Sequence, residues 1–180
     1  MSGLLSEQRP EAQPVTQAQA LTQLAVQVGG CLQARRWMLA VAESCTGGGV
    51  AAALTDIAGS SAWFERGFVT YSNEAKTDML GVPRAIIERH GAVSEEVARA
   101  MALGAVRRSR AQIALSVTGV AGPGGGTLTK PVGMVCFGWA SGNLAQTVET
   151  KHFSGDRAAV RRAAVMHALQ GVLAQLEKPV

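Results

Sequence analysis

Trp37-Met38-Leu39-Ala40-Val41-Ala42-Glu43-Ser44-Cys45-Thr46-Gly47-Gly48-Gly49-Val50-Ala51-Ala52-Ala53-Leu54 is the stretch that decides the fold. Its first six residues are apolar and β-compatible, which predicts a buried parallel strand, and Val50 to Leu54 reads as helix. Between them stand polar side chains and glycines, so a strand end, a tight turn and a helix start fall within a few residues. A helix N-terminus carries unpaired N–H groups and a partial positive charge, which suits an oxyanion, a phosphate or a nucleophile that must become anionic.

Outward from this unit the chain keeps alternating. Leu21, Leu24, Ala25, Val28 and Leu32 recur at helical spacing and predict an amphipathic helix from about Ala18 to Arg35, weakened locally by Gly29-Gly30. Gly67-Phe68-Val69-Thr70-Tyr71 reads as a second strand. A short helix is expected from Asn73 to Leu80, capped by Ser72 or Asn73 and ended near Gly81, with another from Pro83 to Arg89 and a longer one from Ser94 to about Ser109. Ile113 to Thr118 is a further buried strand. Pro131 to Ala140 and Ala145 to Phe153 flank the turn Ser141-Gly142-Asn143-Leu144 and read as a hairpin, and Gly155 to about Leu176 as a closing amphipathic helix. Helices alternating with strands, plus one hairpin, predict an α/β fold: a three-layer α/β/α sandwich on a mixed, mostly parallel sheet.

The 180 residues suit one domain, and 47% hydrophobic with 17% charged residues excludes a disordered or fibrous class. Residues 1–16, with Pro10 and Pro14, read as a flexible tail and residues 17–178 as a single domain. A net charge of +4 with 4% aromatics fits a small anionic molecule at least as well as nucleic acid. Cys31, Cys45 and Cys136 are widely spaced, which argues against a disulfide framework or a zinc site and points to a cytoplasmic home. No apolar run approaches a membrane span. Trp37, Trp63 and Trp139 leave room for an apolar interface, so a homodimer is expected.

Two segments carry chemical content besides the opening turn. Ser44 is a candidate nucleophile, and equally a helix cap; a serine hydroxyl needs a base to take its proton. The three histidines, His90, His152 and His167, lie in no triad-like context, and the Gly-x-Ser-x-Gly elbow is absent. Tyr71 and Lys76 fall where a strand end and the first turn of a helix bring them toward Ser44. A desolvated lysine there becomes a general base, whereas a solvated one has no role. Cys45 is the rival nucleophile or a small buried hydrophobe. Gly119 to Gly126 matches neither the Walker nor the dinucleotide pattern, and is an anion-wrapping nest or a plain turn. Among Arg157, Arg161 and Arg162, one arginine is expected to meet a phosphate and the others to form a solvated face.

Together these segments resemble the CinA C-terminal domain family. The matching pieces are Ala42 to Gly48 (AESCTGG), Gly67 to Lys76 (GFVTYSNEAK), His90 to Ser94 (HGAVS), Thr118 to Gly126 (TGVAGPGGG), Lys130 to Gly133 (KPVG) and Phe153 to Arg157 (FSGDR), in order across Leu21 to Leu176. The resemblance implies an amidohydrolase, as in the family's stand-alone nicotinamide-nucleotide amidases, converting nicotinamide mononucleotide and water to nicotinic acid mononucleotide and ammonia. It further implies Ser44 as nucleophile, Lys76 as its base and Tyr71 as a positioning or relay group. The N–H groups of Thr46, Gly47 and Gly48 would suit an oxyanion, Thr118, Gly119, Gly122 and Gly124 would line the ribose-phosphate side, and Arg157 would be a charge partner. No metal or cofactor is required. The chain departs from longer relatives in having no N-terminal nucleotide-processing domain, so activities tied to that domain are not expected. Thr127-Leu128-Thr129 also lacks the acidic residue that many relatives carry there.

Two other readings compete with the amidase. One is a non-catalytic nucleotide-binding regulatory module of the competence or damage-inducible kind, suggested by the glycine loop. The other is a DNA-associated factor, which rests on net charge alone.

Overall fold

The computed structural model describes residues 16–142 and 146–177. The expected tail before Thr16, Asn143 and Leu144 of the expected turn, and Lys178 at the expected domain end lie outside the described residues.

Helix α1 (Gln17–Arg35) is started by Thr16, whose side chain accepts from the Gln19 N–H while the Gln19 side chain accepts from the Thr16 N–H, a reciprocal capping box. It runs unbroken through Gly29-Gly30. A Cβ on Gly29 would stand 2.7 Å from the Trp63 ring, so the missing side chain lets the indole lie against the helix. Strand β1 (Leu39–Glu43), which begins two residues after the expected Trp37 and takes in Glu43, and helix α2 (Gly49–Thr55) follow in the expected order.

Strand β2 (Phe64–Val69) begins and ends earlier than the expected Gly67–Tyr71. Ser72 caps α3 (Asn73–Leu80) by accepting from the Ala75 N–H, and Gly81 ends it at φ 69°, a left-handed conformation that costs glycine little. Then come α4 (Arg84–His90), α5 (Glu95–Arg107), β3 (Ile113–Gly119), the hairpin strands β4 (Met134–Ser141) and β5 (Gln146–His152), and α6 (Arg157–Leu176), capped by Asp156.

The sheet order is β2-β1-β3-β4-β5. Strands β2, β1 and β3 are mutually parallel, while β4 is antiparallel to both β3 and β5, so four strands point one way. Glu43 is in register with Val69 on one side and Val117 on the other, which aligns three strand ends along one edge. That edge carries the turn after β1.

Alternation along the strands builds two cores. Leu39, Val41, Ile113, Leu115 and Val117 pack with α1, α2 and α6, whereas Ala40, Ala42 and Ala114 pack with α3, α4 and α5. The second face is lined by small residues because α5 lies close upon it. Ser116 Oγ donates to the Ala98 carbonyl at 2.6 Å, and a Cβ on Gly138 would stand 2.7 Å from that same carbonyl oxygen.

Trp63 and Trp139 are buried, and Trp139 Nε1 donates to the Ala168 carbonyl at 3.0 Å. They therefore belong to the core and offer no interface; Trp37, half-buried, lies under the Arg35 guanidinium. Among the described residues no helix is long and apolar enough to cross a membrane.

Candidate active site

The turn after β1 presents Ser44 at the carboxyl edge of the sheet, its N–H donating to the Val117 carbonyl of β3 at 2.9 Å. Across the edge, β2 ends and α3 begins, and the first turn of α3 points Lys76 inward. Lys76 is 1% exposed. Its Nζ lies 3.1 Å from Ser44 Oγ, 3.0 Å from the Thr70 carbonyl and 3.4 Å from the Ser72 carbonyl. Burial holds the Lys76 ammonium below the ordinary lysine value, a shift that the nearby Cys45 and Glu74 partly oppose.

Nζ stands within donor reach of three oxygens, the Ser44 hydroxyl and two backbone carbonyls. A neutral amine that donates to the two carbonyls would turn its lone pair toward the serine hydroxyl. When the nitrogen is protonated, the third N–H donates to Ser44 Oγ, so both states are satisfied in one place.

Cys45 is the neighbour that sequence cannot separate from Ser44. Its thiol is buried and pushed up to about 12, mainly by desolvation, which disfavours the thiolate.

Ser44, Cys45, Tyr71, Asn73, Lys76, Ala92, Val93, Thr118, Gly119, Ala121 and Arg157 line one open cavity of about 220 Å³. Six of the sequence-predicted site residues therefore meet there: Ser44, Tyr71, Lys76, Thr118, Gly119 and Arg157. Tyr71 is 61% exposed, and its hydroxyl accepts from Arg157 Nη2 at 3.0 Å. Among the described residues this hydroxyl is hydrogen-bonded to neither Ser44 nor Lys76, although all three line the same cavity. Arg157 Nη1 donates to the Gly122 carbonyl at 2.8 Å, which ties the glycine loop to α6. Thr118 Oγ1 donates to the Ala92 carbonyl at 2.8 Å, fixing the opposite wall. Gly122 thus reaches the site through Arg157, while Gly124 does not line the cavity.

The expected oxyanion donors need correction. The Gly48 N–H donates to Glu43 Oε2 at 3.0 Å and the Gly47 N–H to the Ser44 carbonyl at 3.0 Å, so both are spent inside the turn. Thr46, the third, is fully buried and does not line the cavity. Two groups that sequence reasoning missed stand here: the buried Glu43, and the half-buried Arg161, whose Nη2 donates to the Thr46 carbonyl at 2.7 Å. The spacing of Arg157 and Arg161, four apart and so on one helix face, is the signal that separates Arg161 from a solvated run.

A larger cavity of about 560 Å³ between α1 and α6, beside Leu21, Phe153 and Met166, lies away from Ser44. His167, at its edge, bonds to Glu149 Oε2 at 2.8 Å. Among the described residues no group of three or more His, Cys, Asp or Glu is placed to hold a metal ion.

Fold and site together define an α/β protein of three layers with a buried serine–lysine pair at the carboxyl edge of its parallel strands. The model of the CinA C-terminal domain matches residues 21–176, and the chain belongs to that family. A relative from Enterobacter agglomerans named nicotinamide-nucleotide amidohydrolase PncC is 51% identical over 158 residues, covering 88% of this chain and 96% of that protein. The protein of the same name from Escherichia coli K12 is 56% identical over 150 residues, 83% of this chain and 91% of the relative. A CinA-like protein of Syntrophobacter fumaroxidans is 51% identical, over 79% of this chain and only 33% of its own length. The crystal structure of the competence/damage inducible protein CihA from Agrobacterium tumefaciens superposes with a TM-score of 0.85 at 44% identity, covering 88% of this chain and 96% of that one.

Proposed function

We propose that the protein hydrolyses the carboxamide of a nicotinamide nucleotide, with nicotinamide mononucleotide as substrate, by a serine nucleophile whose base is lysine. The observation that carries this is the 3.1 Å approach of Lys76 Nζ to Ser44 Oγ in a buried setting that favours the neutral amine. The names of the relatives that cover most of the chain supply the substrate class.

In the reaction, Lys76 Nζ takes the Ser44 proton as Oγ attacks the carboxamide carbon. The C–O bond forms as the carbonyl π pair moves onto oxygen, giving a tetrahedral oxyanion. Collapse re-forms the carbonyl and breaks the C–N bond, and Lys76 gives its proton to the leaving nitrogen, which departs as ammonia. Water then attacks the Ser44 ester with Lys76 again as base, releasing the carboxylate and restoring Ser44. The sum is one amide and one water converted to one acid and one ammonia.

A cavity of about 220 Å³ takes a single ring with its amide and leaves the ribose and phosphate at the mouth. Arg157 stands at that mouth, oriented by the Tyr71 hydroxyl and the Gly122 carbonyl, and meets the phosphate there. Tyr71 thereby acts on substrate placement. The test is ammonia release from nicotinamide mononucleotide by the purified protein, with Ser44→Ala as control. Tight nucleotide binding without ammonia release from the unaltered protein would favour a regulatory binding module instead.

A further inference from the structure

The turn from Ser44 to Gly48 is soft by composition. Gly47 and Gly48 both sit at left-handed φ, 58° and 93°, and glycine is the residue with the most conformational freedom to lose. Something outside the turn must hold it if Ser44 is to stay at one distance from Lys76.

Glu43 holds it from the helix side. The residue is fully buried at the end of β1, and its carboxylate folds back over the turn that follows. Oε2 accepts from the N–H groups of Gly48 and Val50, each at 3.0 Å, and Oε1 accepts from the Ala51 N–H at 2.8 Å. These are charge-assisted bonds to the open end of α2, roughly twice as strong as neutral ones.

Arg161 holds the turn from the opposite side. Its Nη2 donates to the Thr46 carbonyl at 2.7 Å, and a Cβ on Gly47 would stand only 3.6 Å from that nitrogen, so the guanidinium lies over the turn. Neither Glu43 nor Arg161 lines the cavity that contains Ser44 and Lys76.

We infer that Glu43 and Arg161 are positioning residues: an anion on the turn's N–H groups and a cation on its carbonyl clamp the nucleophile turn from two sides. The inference rests on the reading of Ser44 as nucleophile, though not on which amide is cleaved. Because neither side chain meets the substrate, losing one changes the chemical step and leaves binding alone.

The experiment compares Glu43→Gln, Arg161→Met, Arg161→Lys and the Glu43→Gln/Arg161→Met double variant in the full chain. Two readouts are taken: kcat and KM for ammonia release from nicotinamide mononucleotide, and the rate at which phenylmethanesulfonyl fluoride labels Ser44, followed by intact mass. Glutamine keeps the size of Glu43 but turns an N–H₂ toward N–H donors. Loosening a reacting group by about an ångström costs on the order of a hundredfold. Glu43→Gln and Arg161→Met are each expected to lower kcat about ten- to a hundredfold with KM within about twofold, and to slow labelling in parallel. Arg161→Lys should restore most of the rate, and the double variant should lose less than the product of the single losses.

A kcat unchanged while the melting temperature falls would overturn the proposal by making the pair purely structural. A raised KM at unchanged kcat would overturn it by making them ligand contacts. Should Glu43→Gln fail to fold, the Arg161→Met and Arg161→Lys pair decides alone. Labelling of Ser44 in a protein that releases no ammonia would remove the substrate reading while the labelling rates still test the clamp. A wild-type Ser44 that resists labelling would remove the premise of the clamp itself.

Discussion

Lys76 Nζ and Ser44 Oγ, 32 residues apart in the chain, stand 3.1 Å apart in the fold. Two structural elements make that distance: β1 carries Ser44 to the sheet edge, and α3, started by Ser72 and stopped at Gly81, aims Lys76 back at it. In the proposed mechanism the lysine is the proton acceptor for the serine, a role that histidine fills in Ser-His-Asp triads.

The pH dependence of kcat/KM should reflect this lysine. Activity requires neutral Lys76, so it rises with pH about tenfold per unit until the Lys76 pKa is passed. Because burial lowers that pKa from the ordinary 10.5, the rise should end on the acid side of 10.5. Lys76→Arg, which keeps the charge but cannot lose its proton, should be inactive throughout the range.

The same burial has a stability cost. Between the lowered folded pKa and 10.5 the unfolded chain binds a proton that the folded chain does not. Stability therefore rises with pH across that window, and the penalty is fully present below the folded pKa. Lys76→Met, which removes the buried amine, should melt at a higher temperature than wild type near neutral pH while releasing no ammonia. A lower melting temperature would mean that the three hydrogen bonds of Nζ outweigh its desolvation.

Cys45→Ala should leave ammonia release within about twofold of wild type, since the thiol sits near 12 and stays protonated. Its cost should appear in stability, on the order of 1 kcal/mol by denaturant titration. A collapse of kcat would restore Cys45 as a participant.

Arg157→Gln is expected to raise KM for nicotinamide mononucleotide about tenfold or more through loss of a charge-assisted contact. Hydrolysis of nicotinamide, which has no phosphate, should change little. Tyr71→Phe, which frees Arg157 from its 3.0 Å partner, should move KM in the same direction by less. A Tyr71→Phe variant that lost kcat with KM unchanged would restore the hydroxyl to proton transfer.

Gly138→Val should destabilise the fold by about 1–3 kcal/mol or more, because its Cβ would meet the Ala98 carbonyl at 2.7 Å. Chemical denaturation checks this; a neutral result would mean that α5 is free to lift from the sheet.

Much of this arrangement is legible in the chain because local signals agree with the tertiary ones. Helix α3 has its serine cap and its terminal glycine, and the opening stretch passes from apolar run to glycine to alanine-rich helix. The limits of β2 are not legible in the same way. It is an edge strand that carries the ion pair of half-buried Glu65 and exposed Arg66, so its first half lacks the apolar pattern of a buried strand. Residues Tyr71, Lys76 and Arg157 are recognisable from motif context, yet their partners are not. A helix cap is sought beside the helix start, whereas Glu43 reaches α2 from the far side of a turn. Arg161 is hidden in a run of arginines until α6 is placed against the Thr46 carbonyl. Contacts set by where one element passes another are properties of packing that a linear pattern does not carry.

Mass spectrometry of the protein quenched in acid during turnover of nicotinamide mononucleotide decides whether Ser44 is the nucleophile. The account predicts a substrate-derived acyl group on the peptide containing Ser44, absent in Ser44→Ala, with ammonia release from that variant reduced by about 10³-fold or more. Wild-type-like ammonia release by Ser44→Ala, or an acyl group carried by Cys45, would contradict it.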